Sequence, residues 1–205
     1  MRTLVTGGAG FVGSHIVYRH VSEGDDVLVV DNLSTGKHSN MPPEARLEEI
    51  DIVDPELSNI VSSFRPDLVT HCAAQASVPT SMADPLKDAR VNIIGGINVL
   101  EATIKSDCRK FIYITTGGAL YGTPEYLPCD EDHPIRPESA YGLSKWTLEH
   151  YLKLLILSSM QLNILRLANV YGPRQDPHGE AGVIAIFGLL MVRGQQVVIY
   201  GDGEQ

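Results

Sequence analysis

The chain has 205 residues, 43% of them apolar, with 19 glycines and 12 prolines, which is ordinary for a soluble globular protein with one substantial core. Its net charge of -9 disfavours nucleic acid and anionic membrane surfaces as partners, because both bind clustered lysine and arginine. Cys72, Cys108 and Cys129 show no metal or disulfide spacing, and neither a signal peptide nor a membrane span is evident, so we expect a soluble cytoplasmic protein without a metal.

The first thirteen residues predict a strand, a tight turn and the start of a helix. Leu4 and Val5 form a short apolar strand, and glycines follow at Gly7, Gly10 and Gly13. Such a turn brings free backbone N–H groups and the positive end of the helix dipole to one point, which suits a pyrophosphate. Gly7 would allow the turn, Gly10 the close approach of a phosphate, and Gly13 the close packing of helix on strand.

A second strand, over residues 27–30, ends in Asp31. The segment between the two strands, residues 12–22, carries its apolar side chains on one helical face. A carboxylate about twenty residues after a glycine turn, in a strand–helix–strand unit, can accept a hydrogen bond from the ribose 2′-OH of a dinucleotide. The N-terminal segment therefore predicts a dinucleotide-binding site.

Helix and strand patterns alternate along the rest of the chain. They predict a loop at 32–43, helices at 56–64, 84–106 and 141–157, strands at 47–52, 67–74, 110–114 and 163–167, a buried helix at 183–192 and a terminal strand at 196–200. Ser139 is the expected N-cap of the helix at 141–157, and His71 is expected to be a core histidine with a hydrogen-bond partner. The alternation implies an α/β fold, a doubly wound parallel sheet covered by helices on both faces.

Tyr141 and Lys145 stand four residues apart on a predicted helix, so their side chains share one face. The preceding strand runs into Thr115 and Thr116, whose hydroxyls are expected at the same edge of the sheet. A phenol has a reference pKa near 10, and lowering it to about 7 is worth roughly 4 kcal/mol. The Lys145 ammonium and a positively charged nicotinamide ring could each supply part of that lowering. The pair predicts proton chemistry beside a cofactor, with Thr116 relaying the proton to and from a substrate oxygen.

Six blocks over nearly the whole chain resemble those of the extended short-chain dehydrogenase/reductase family, and within it the UDP-glucose 4-epimerases and their nucleotide-sugar relatives. The blocks are TGGAGFVG at 6–13, DNLSTG at 31–36, HCAAQASV at 71–78, ALYG at 119–122, YGLSK at 141–145 and NVYGPRQDPHGEAGVIAIF at 169–187. Together they are far more specific than any one of them. The resemblance implies a Rossmann-type fold that binds NAD and a UDP-sugar.

The resemblance also assigns positions to the cofactor. Asp31 and Asn32 match the adenosine-ribose end, and they favour NAD over NADP because a 2′-phosphate would meet a carboxylate. Tyr141 matches the catalytic base, and Lys145 matches its partner, which also binds the nicotinamide ribose. The implied cofactor-binding residues are Gly7, Gly10, Phe11, Val12, Gly13, Asp31, Asn32, Asp51, Ile52, Ala73, Ala74, Gln75, Asn92, Tyr141 and Lys145.

The resemblance further implies a UDP-sugar site and a reaction type. Counted back from Tyr121 without a gap, the family's catalytic hydroxyl falls on Gly117, whereas a turn one residue longer places it on Thr116, which we prefer. Related dehydratases and decarboxylases carry an acidic residue here, which Gly117 cannot replace, so epimerisation is favoured. The implied substrate-binding residues are Thr116, Asn169, Gly182, Val183 and Phe187.

The expected activity is NAD-dependent epimerisation at C4 of a UDP-hexose through a transient 4-keto sugar. The helices at 84–106 and 141–157 resemble those through which the family dimerises, so a homodimer is expected. Family members continue past the GDG-x-Q motif at 201–205, so residues 1–168 are expected to be the NAD-binding domain and residues 169–205 the start of an incomplete substrate region. Two alternatives are an NAD-binding module without turnover and a nucleotide-sugar oxidoreductase that accumulates NADH.

Overall fold

The computed structural model describes residues 1–156, 159–178, 182–199 and 201–203. The chain forms two compact units, Met1–Ala168 and Asn169–Gln205. The first unit contains the strands β1 Arg2–Thr6, β2 Asp26–Asp31, β3 Arg46–Glu49, β4 Leu68–His71, β5 Lys110–Thr116 and β6 Gln161–Leu167. Its helices are α1 Phe11–Ser22, α2 Leu57–Phe64, α3 Val78–Ala83, α4 Pro85–Ala89, α5 Gly96–Lys105 and α6 Ala140–Leu155. The second unit contains α7 Val183–Val192.

The six strands form one parallel sheet in the order β3-β2-β1-β4-β5-β6, which confirms the doubly wound sheet. Val5 on β1 lies opposite Val29 on β2 and Thr70 on β4, so β1 is flanked on both sides. The strand order reverses between β1 and β4. In open parallel sheets, ligands bind in the crevice beyond the carboxyl ends of the strands at such a reversal.

Helices cover both faces of the sheet, because successive residues of a strand point to opposite sides. Leu4 lies in the larger core cluster, which includes Leu100 of α5 and Leu148 of α6. Val5, the next residue, lies in a second cluster with Val17 of α1. All five side chains are fully buried. Within the described residues, no helix combines the length and the apolar character needed to span a bilayer.

The helix predicted at 84–106 is present as an uninterrupted helical run, in which α4 is followed by a π-helical turn at Arg90–Gly95 and then by α5. The short helix α3, which precedes it, was not predicted. Asp84 ends α3 and begins α4, where its side chain accepts a hydrogen bond from Lys87 N at 3.0 Å. Pro85 follows as the first residue of α4, a position that suits proline because it needs no N–H donor there.

The helix α6 begins one residue earlier than predicted. Ser139 Oγ accepts a hydrogen bond from Gly142 N at 3.0 Å, which confirms the predicted N-cap. The helix extends to Leu155, and the predicted last residue, Leu157, lies outside the described residues.

Two predictions for the second unit are wrong. The bounds of α7 agree with the prediction, but none of its residues is buried, and Val192 is 88% exposed. A helix that is apolar around its whole circumference needs cover on all sides, and the described part of Asn169–Gln205 contains no other helix or strand. Residues 196–199 form no strand, because a strand requires a hydrogen-bonded neighbour; Tyr200 lies outside the described residues.

Candidate functional site

The turn between β1 and α1 has a geometry that requires glycine. Gly7 has a φ of +70°, and its N–H donates to Val30 O at 2.8 Å, which joins the turn to the end of β2. A Cβ at Gly7 would lie 2.6 Å from Ala73 N, and a Cβ at Gly13 would overlap the Gly7 carbonyl oxygen. The turn is therefore packed tightly between α1 and the segment that follows β4.

The helix α1 presents an uncapped N-terminus at the carboxyl edge of the sheet. Gly10 is the N-cap residue and carries no side chain to cap the backbone, and the first turn contains no acidic residue. The N–H groups of Phe11, Val12 and Gly13 belong to the first turn, whose donors have no acceptor within the helix. These features fit a pyrophosphate, because free N–H groups and the helix dipole both attract an anion.

Asp31 lies at the end of β2, beside the glycine turn, and is 8% exposed. Its Oδ2 accepts a hydrogen bond from Ala9 N at 3.0 Å, and its Oδ1 accepts one from Leu33 N at 2.9 Å. Each carboxylate oxygen can accept a further hydrogen bond, so these contacts orient the group without exhausting it. Asn32 Nδ2 donates to Asp51 Oδ2 at 2.8 Å, which joins the segments after β2 and β3. The structure thus brings three of the predicted adenosine-end residues to one edge.

Ile52, also predicted at this end, occupies a different environment. Its side chain is 4% exposed and packs in the larger core cluster beside Gly95. Its carbonyl oxygen accepts a hydrogen bond from Asn98 Nδ2 at 2.7 Å. The side chain therefore serves the core, and a ligand at this edge could meet only the backbone of Ile52.

The segment after β4 contains the predicted residues Ala73, Ala74 and Gln75. Ala73 N donates to Thr6 Oγ1 at 3.3 Å, which holds the segment against the end of β1. Asn92 Oδ1 accepts from Gln75 N at 2.9 Å, and Asn92 Nδ2 donates to Gln75 O at 3.0 Å. A single buried amide therefore pairs with both backbone groups of Gln75, and this fixes the path of the segment.

Asp88 is a buried member of this network that sequence reasoning missed. Its Oδ1 accepts hydrogen bonds from Gln75 Nε2 at 3.0 Å and from Asn92 Nδ2 at 2.9 Å, and the residue is 1% exposed. The signal available in the sequence was its position four residues before Asn92, on the same helical face. That spacing is too common to single out one carboxylate.

Tyr141 and Lys145 lie in the first turns of α6. Tyr141 N donates to Ser81 Oγ at 3.0 Å, which anchors the start of α6 on α3. Lys145 is 3% exposed, its Nζ donates to Ile114 O at 3.0 Å, and the same nitrogen lies 4.4 Å from the centre of the Tyr113 ring. Burial lowers the pKa of Lys145 to about 8, against the opposing influence of neighbouring acidic groups.

The pKa of Tyr141 moves in the direction opposite to that expected from a neighbouring lysine. Burial, and secondarily the Asp88 carboxylate, raise it to about 12. In the protein without a ligand, Lys145 therefore does not lower the pKa of Tyr141 as the sequence predicted. The ammonium of Lys145 is directed at Ile114 O and the Tyr113 ring instead. Burial and the Asp88 carboxylate therefore disfavour ionisation of the phenol at neutral pH.

Thr116 is the last residue of β5, at the same edge of the sheet. Its Oγ1 accepts a hydrogen bond from Ala119 N at 3.2 Å. Gly117 N donates to Leu167 O at 2.7 Å and so continues the pairing of β5 with β6. Thr116 provides a hydroxyl at this position and Gly117 does not; the role of Thr116 in catalysis stays a prediction.

The remaining predicted substrate residues belong to the second unit. Asn169 is exposed, and Gly182 is the N-cap residue of α7. Val183 and Phe187 stand four residues apart on α7, so they share one face of that helix. Their proposed contact with a nucleotide sugar stays a prediction.

His71 is a core histidine, as predicted. Its Nδ1 lies 2.7 Å from Thr6 Oγ1, and its ring stacks on Tyr113 with the ring centres 5.6 Å apart. Burial, followed by the positive charge of Lys145, lowers its pKa to about 3. The ring is therefore neutral near pH 7 and packs on Tyr113, whose ring lies beside Lys145 Nζ.

A largely buried ion pair, Glu149 with Arg166, lies one helical turn after Lys145 on α6. Glu149 is fully buried; Arg166 Nη2 lies 2.8 Å from Glu149 Oε2, and Nε lies 3.2 Å from Oε1. Arg166 Nη1 also donates to Tyr121 OH at 3.1 Å, and the Tyr121 ring meets His133 edge to face. The pair thus ties α6 and β6 to the segment that follows β5. The partners are far apart in the chain, so no local pattern marks them.

Replacing Lys145 by Met is expected to raise the free energy of unfolding at pH 7 by roughly 1–3 kcal/mol, because it removes a buried charge. The folded-state pKa of about 8 lies below the ordinary 10.5. Between these values the unfolded chain binds the extra proton, so wild-type stability rises with pH through this window and the variant loses that rise.

Urea unfolding of both proteins at pH 7 and pH 10 measures this difference, with the exposed Lys87→Met as the control. The difference in unfolding free energy between the Lys145→Met protein and the wild type should be smaller at pH 10 than at pH 7. An equal difference at both pH values would show that burial does not lower the pKa of Lys145.

Three findings relate this geometry to known proteins. The sequence profile of the NAD dependent epimerase/dehydratase family matches residues 3–205. The UDP-glucose 4-epimerase of Mycolicibacterium smegmatis is 42% identical over 210 residues, which cover 100% of this chain and 67% of that protein. The crystal structure of the Thermotoga maritima UDP-glucose 4-epimerase with UDP-glucose is 49% identical, with a TM-score of 0.95 over 100% of this chain and 67% of that one.

A further solved structure, the UDP-glucose 4-epimerase of Thermus thermophilus in complex with NAD, is 48% identical, with a TM-score of 0.90. The match covers 96% of this chain and 64% of that one. The chain therefore spans about two thirds of the length of these relatives.

Proposed function

Because the chain belongs to the NAD dependent epimerase/dehydratase family, we propose that it acts in NAD-dependent epimerisation at C4 of a UDP-hexose, through a transient 4-keto sugar. One observation carries the proposal. The glycine turn, Asp31 and the segment that leads to Tyr141 and Lys145 all lie at the carboxyl edge of one parallel sheet. The identity with enzymes that epimerise UDP-glucose supports the substrate class. Interconversion of UDP-glucose and UDP-galactose would place the protein in galactose metabolism.

The cofactor would be held by groups of the first unit. The first-turn N–H groups of α1 would bind the pyrophosphate, and Asp31 would accept a hydrogen bond from the adenosine ribose. Bound NAD supplies a hydride acceptor and donor and a positive charge on its nicotinamide ring. Gln75, held by Asn92, would line the nicotinamide half. These roles assign residues 1–168 to cofactor binding and residues 169–205 to the start of the nucleotide-sugar region.

Tyr141 would take the proton from the sugar 4-OH and return it when the keto group is reduced. Since burial and Asp88 raise the pKa of this phenol to about 12, the base becomes competent only when a positive charge lies beside it. Thr116 would hydrogen-bond the same sugar oxygen and relay the proton. Lys145, fixed by Ile114 O, would hold the ribose next to Tyr141. Proton abstraction is thereby coupled to the presence of oxidised cofactor.

An assay that measures binding and turnover separately tests the proposal. Trp146, the single tryptophan, follows Lys145 on α6 and reports NAD binding through its fluorescence. Conversion of UDP-galactose with NAD is measured in parallel. Conversion without accumulation of NADH in solution supports epimerisation. Binding without conversion would favour an NAD-binding module, and NADH that accumulates with substrate would favour an oxidoreductase.

We also propose a homodimer formed through α6 and the π-helical turn before α5. The support is a set of exposed apolar side chains on these elements, and such patches mark interaction surfaces. The exposed side chains are Ile94 at 60%, Leu143 at 51%, Tyr151 at 40% and Leu154 at 79%. Light scattering at micromolar concentration tests this, and a monomeric mass would contradict it. A cytoplasmic location is proposed as well, supported by three free cysteines, Cys72, Cys108 and Cys129.

A further inference from the structure

Asp88 is a buried carboxylate whose hydrogen bonds have no role in the proposed mechanism. It lies on α4, and its Oδ1 accepts hydrogen bonds from the side-chain amides of Gln75 and Asn92. Two amide donors on one oxygen suit a carboxylate acceptor. Asn92 in turn reaches Ser144 Oγ on α6 at 3.1 Å, and Ser144 Oγ donates to Tyr141 O at 2.9 Å. A continuous chain of contacts therefore joins Asp88 to the backbone of the catalytic tyrosine.

The charge of Asp88 is not neutralised nearby. Across the stretches that the structure describes, no lysine, arginine or histidine forms an ion pair with it. Glu149, the other buried carboxylate beside the catalytic pair, is bonded to Arg166 through both of its oxygens. Asp88 thus differs from Glu149 in having no ion-pair partner among the described residues.

The titratable groups around Lys145 come from four elements. Cys72 and His71 lie at the end of β4, Tyr113 on β5, Tyr141 and Glu149 on α6 and Asp88 on α4. Burial raises the pKa of Cys72 to about 12, and His71 is neutral near pH 7. Burial lowers the pKa of Lys145, and Cys72, then Glu149, then Asp88 oppose that lowering; of these neighbours, Glu149 and Asp88 are the carboxylates.

We propose that Asp88 is a positioning residue for Tyr141 and Lys145: its hydrogen bonds hold Gln75 and Asn92, and its negative charge favours the protonated forms of both side chains in the protein without cofactor. The inference rests on the proposed function. The proposed effect of the charge explains why the acceptor for the Gln75 and Asn92 amides is a carboxylate. A residue that only held these two amides in place could equally be a neutral hydrogen-bond acceptor.

Asp88→Asn separates the charge from the hydrogen bonds, because the amide oxygen can still accept from Gln75 and Asn92. Lysine Cε resonances, followed by NMR against pH in the protein without NAD and assigned with Lys145→Met, report the titration of Lys145 directly. The pKa of Lys145 is expected to fall below its wild-type value of about 8 in the Asp88→Asn protein. The matched control is Asp84→Asn, the same charge change at an exposed N-cap on the same helix, which should leave Lys145 unchanged. A Lys145 titration that does not move in Asp88→Asn, or moves equally in Asp84→Asn, overturns the proposal.

Asp88→Ala tests the positioning part, because it leaves two buried amide donors without their acceptor. We expect NAD affinity, measured by Trp146 fluorescence, to fall on the order of tenfold in the Asp88→Ala protein. The Asp88→Asn protein should bind NAD with near-wild-type affinity, while the pKa of its Lys145 stays below the wild-type value. Wild-type affinity in the Asp88→Ala protein would contradict the positioning role. If Asp88→Ala does not fold, Asp88→Asn still decides the charge role. A Lys145 titration that moves as expected in a protein that never converts UDP-galactose would refute the proposed function and leave this inference standing.

Discussion

Replacing Tyr141 by Phe is expected to lower the rate of UDP-hexose epimerisation by about 100- to 10,000-fold, the range that a positioned acid–base group contributes. The phenol is the group that would exchange a proton with the sugar 4-OH, and Thr116, the other proposed hydroxyl, has no charge partner to make it a base. Among the described residues the phenol oxygen forms no hydrogen bond, so the loss of the hydroxyl should cost little stability. The effect should therefore fall on turnover.

The measurement is initial-rate conversion of UDP-galactose, combined with NAD titration by Trp146 fluorescence. NAD affinity should stay within a few-fold of wild type, because the Tyr141 ring remains and the glycine turn is untouched. Tyr151→Phe, a half-exposed tyrosine on the same helix, is the control and should be fully active. Near-normal activity of Tyr141→Phe would remove the assigned base and with it the proposed mechanism.

Replacing Glu149 by Ala is expected to lower the free energy of unfolding by about 3–5 kcal/mol, because it leaves the Arg166 guanidinium largely buried without its counter-ion. The side chain of Glu149 is 0% exposed and that of Arg166 is 15% exposed, so solvent would compensate only a small part of the lost ion pair. The two hydrogen bonds of the pair also hold the pKa of Arg166 above its usual range. Urea unfolding at neutral pH measures the change.

The exposed pair Arg19 with Glu23 provides the matched control. Its side chains are 75% and 45% exposed, and Glu23→Ala should change stability by less than about 1 kcal/mol. The double variant Glu149→Met/Arg166→Met is expected to be more stable than Glu149→Ala alone, since it leaves no unpaired charge. If Glu149→Ala proves no worse than Glu23→Ala, the pair does not stabilise α6 against β6 as inferred.

The parts of the fold that the sequence predicts are those with local causes. The glycine turn requires conformations that only glycine adopts freely, and Ser139 caps α6 through a contact three residues away. The strands are marked by short apolar runs that a parallel sheet buries on both faces. Asp31 was found because its distance along the chain from the turn reflects the length of one helix and one strand.

The parts that sequence reasoning missed depend on contacts between distant residues. Asp88 and Glu149 resemble ordinary helical carboxylates in the sequence, and only their partners make them central. The raised pKa of Tyr141 is likewise a result of burial and of the Asp88 carboxylate, whereas the ammonium of Lys145 is directed at Ile114 O and the Tyr113 ring. The expected burial of α7 was wrong because an apolar composition does not show which other elements pack against the helix.

The π-helical turn at Arg90–Gly95 bears on how many residues this part of the chain can have. Such a turn accommodates one extra residue without breaking the helix, and it contains Asn92. Deletion of one residue between 90 and 95 would let the segment return to α-helical geometry with α5 in its present rotation, whereas deletion of one residue within α5 would rotate the residues on one side of it by about 100°. The π-helical turn is therefore the place on this helix where the number of residues can change while Leu100 stays in the core.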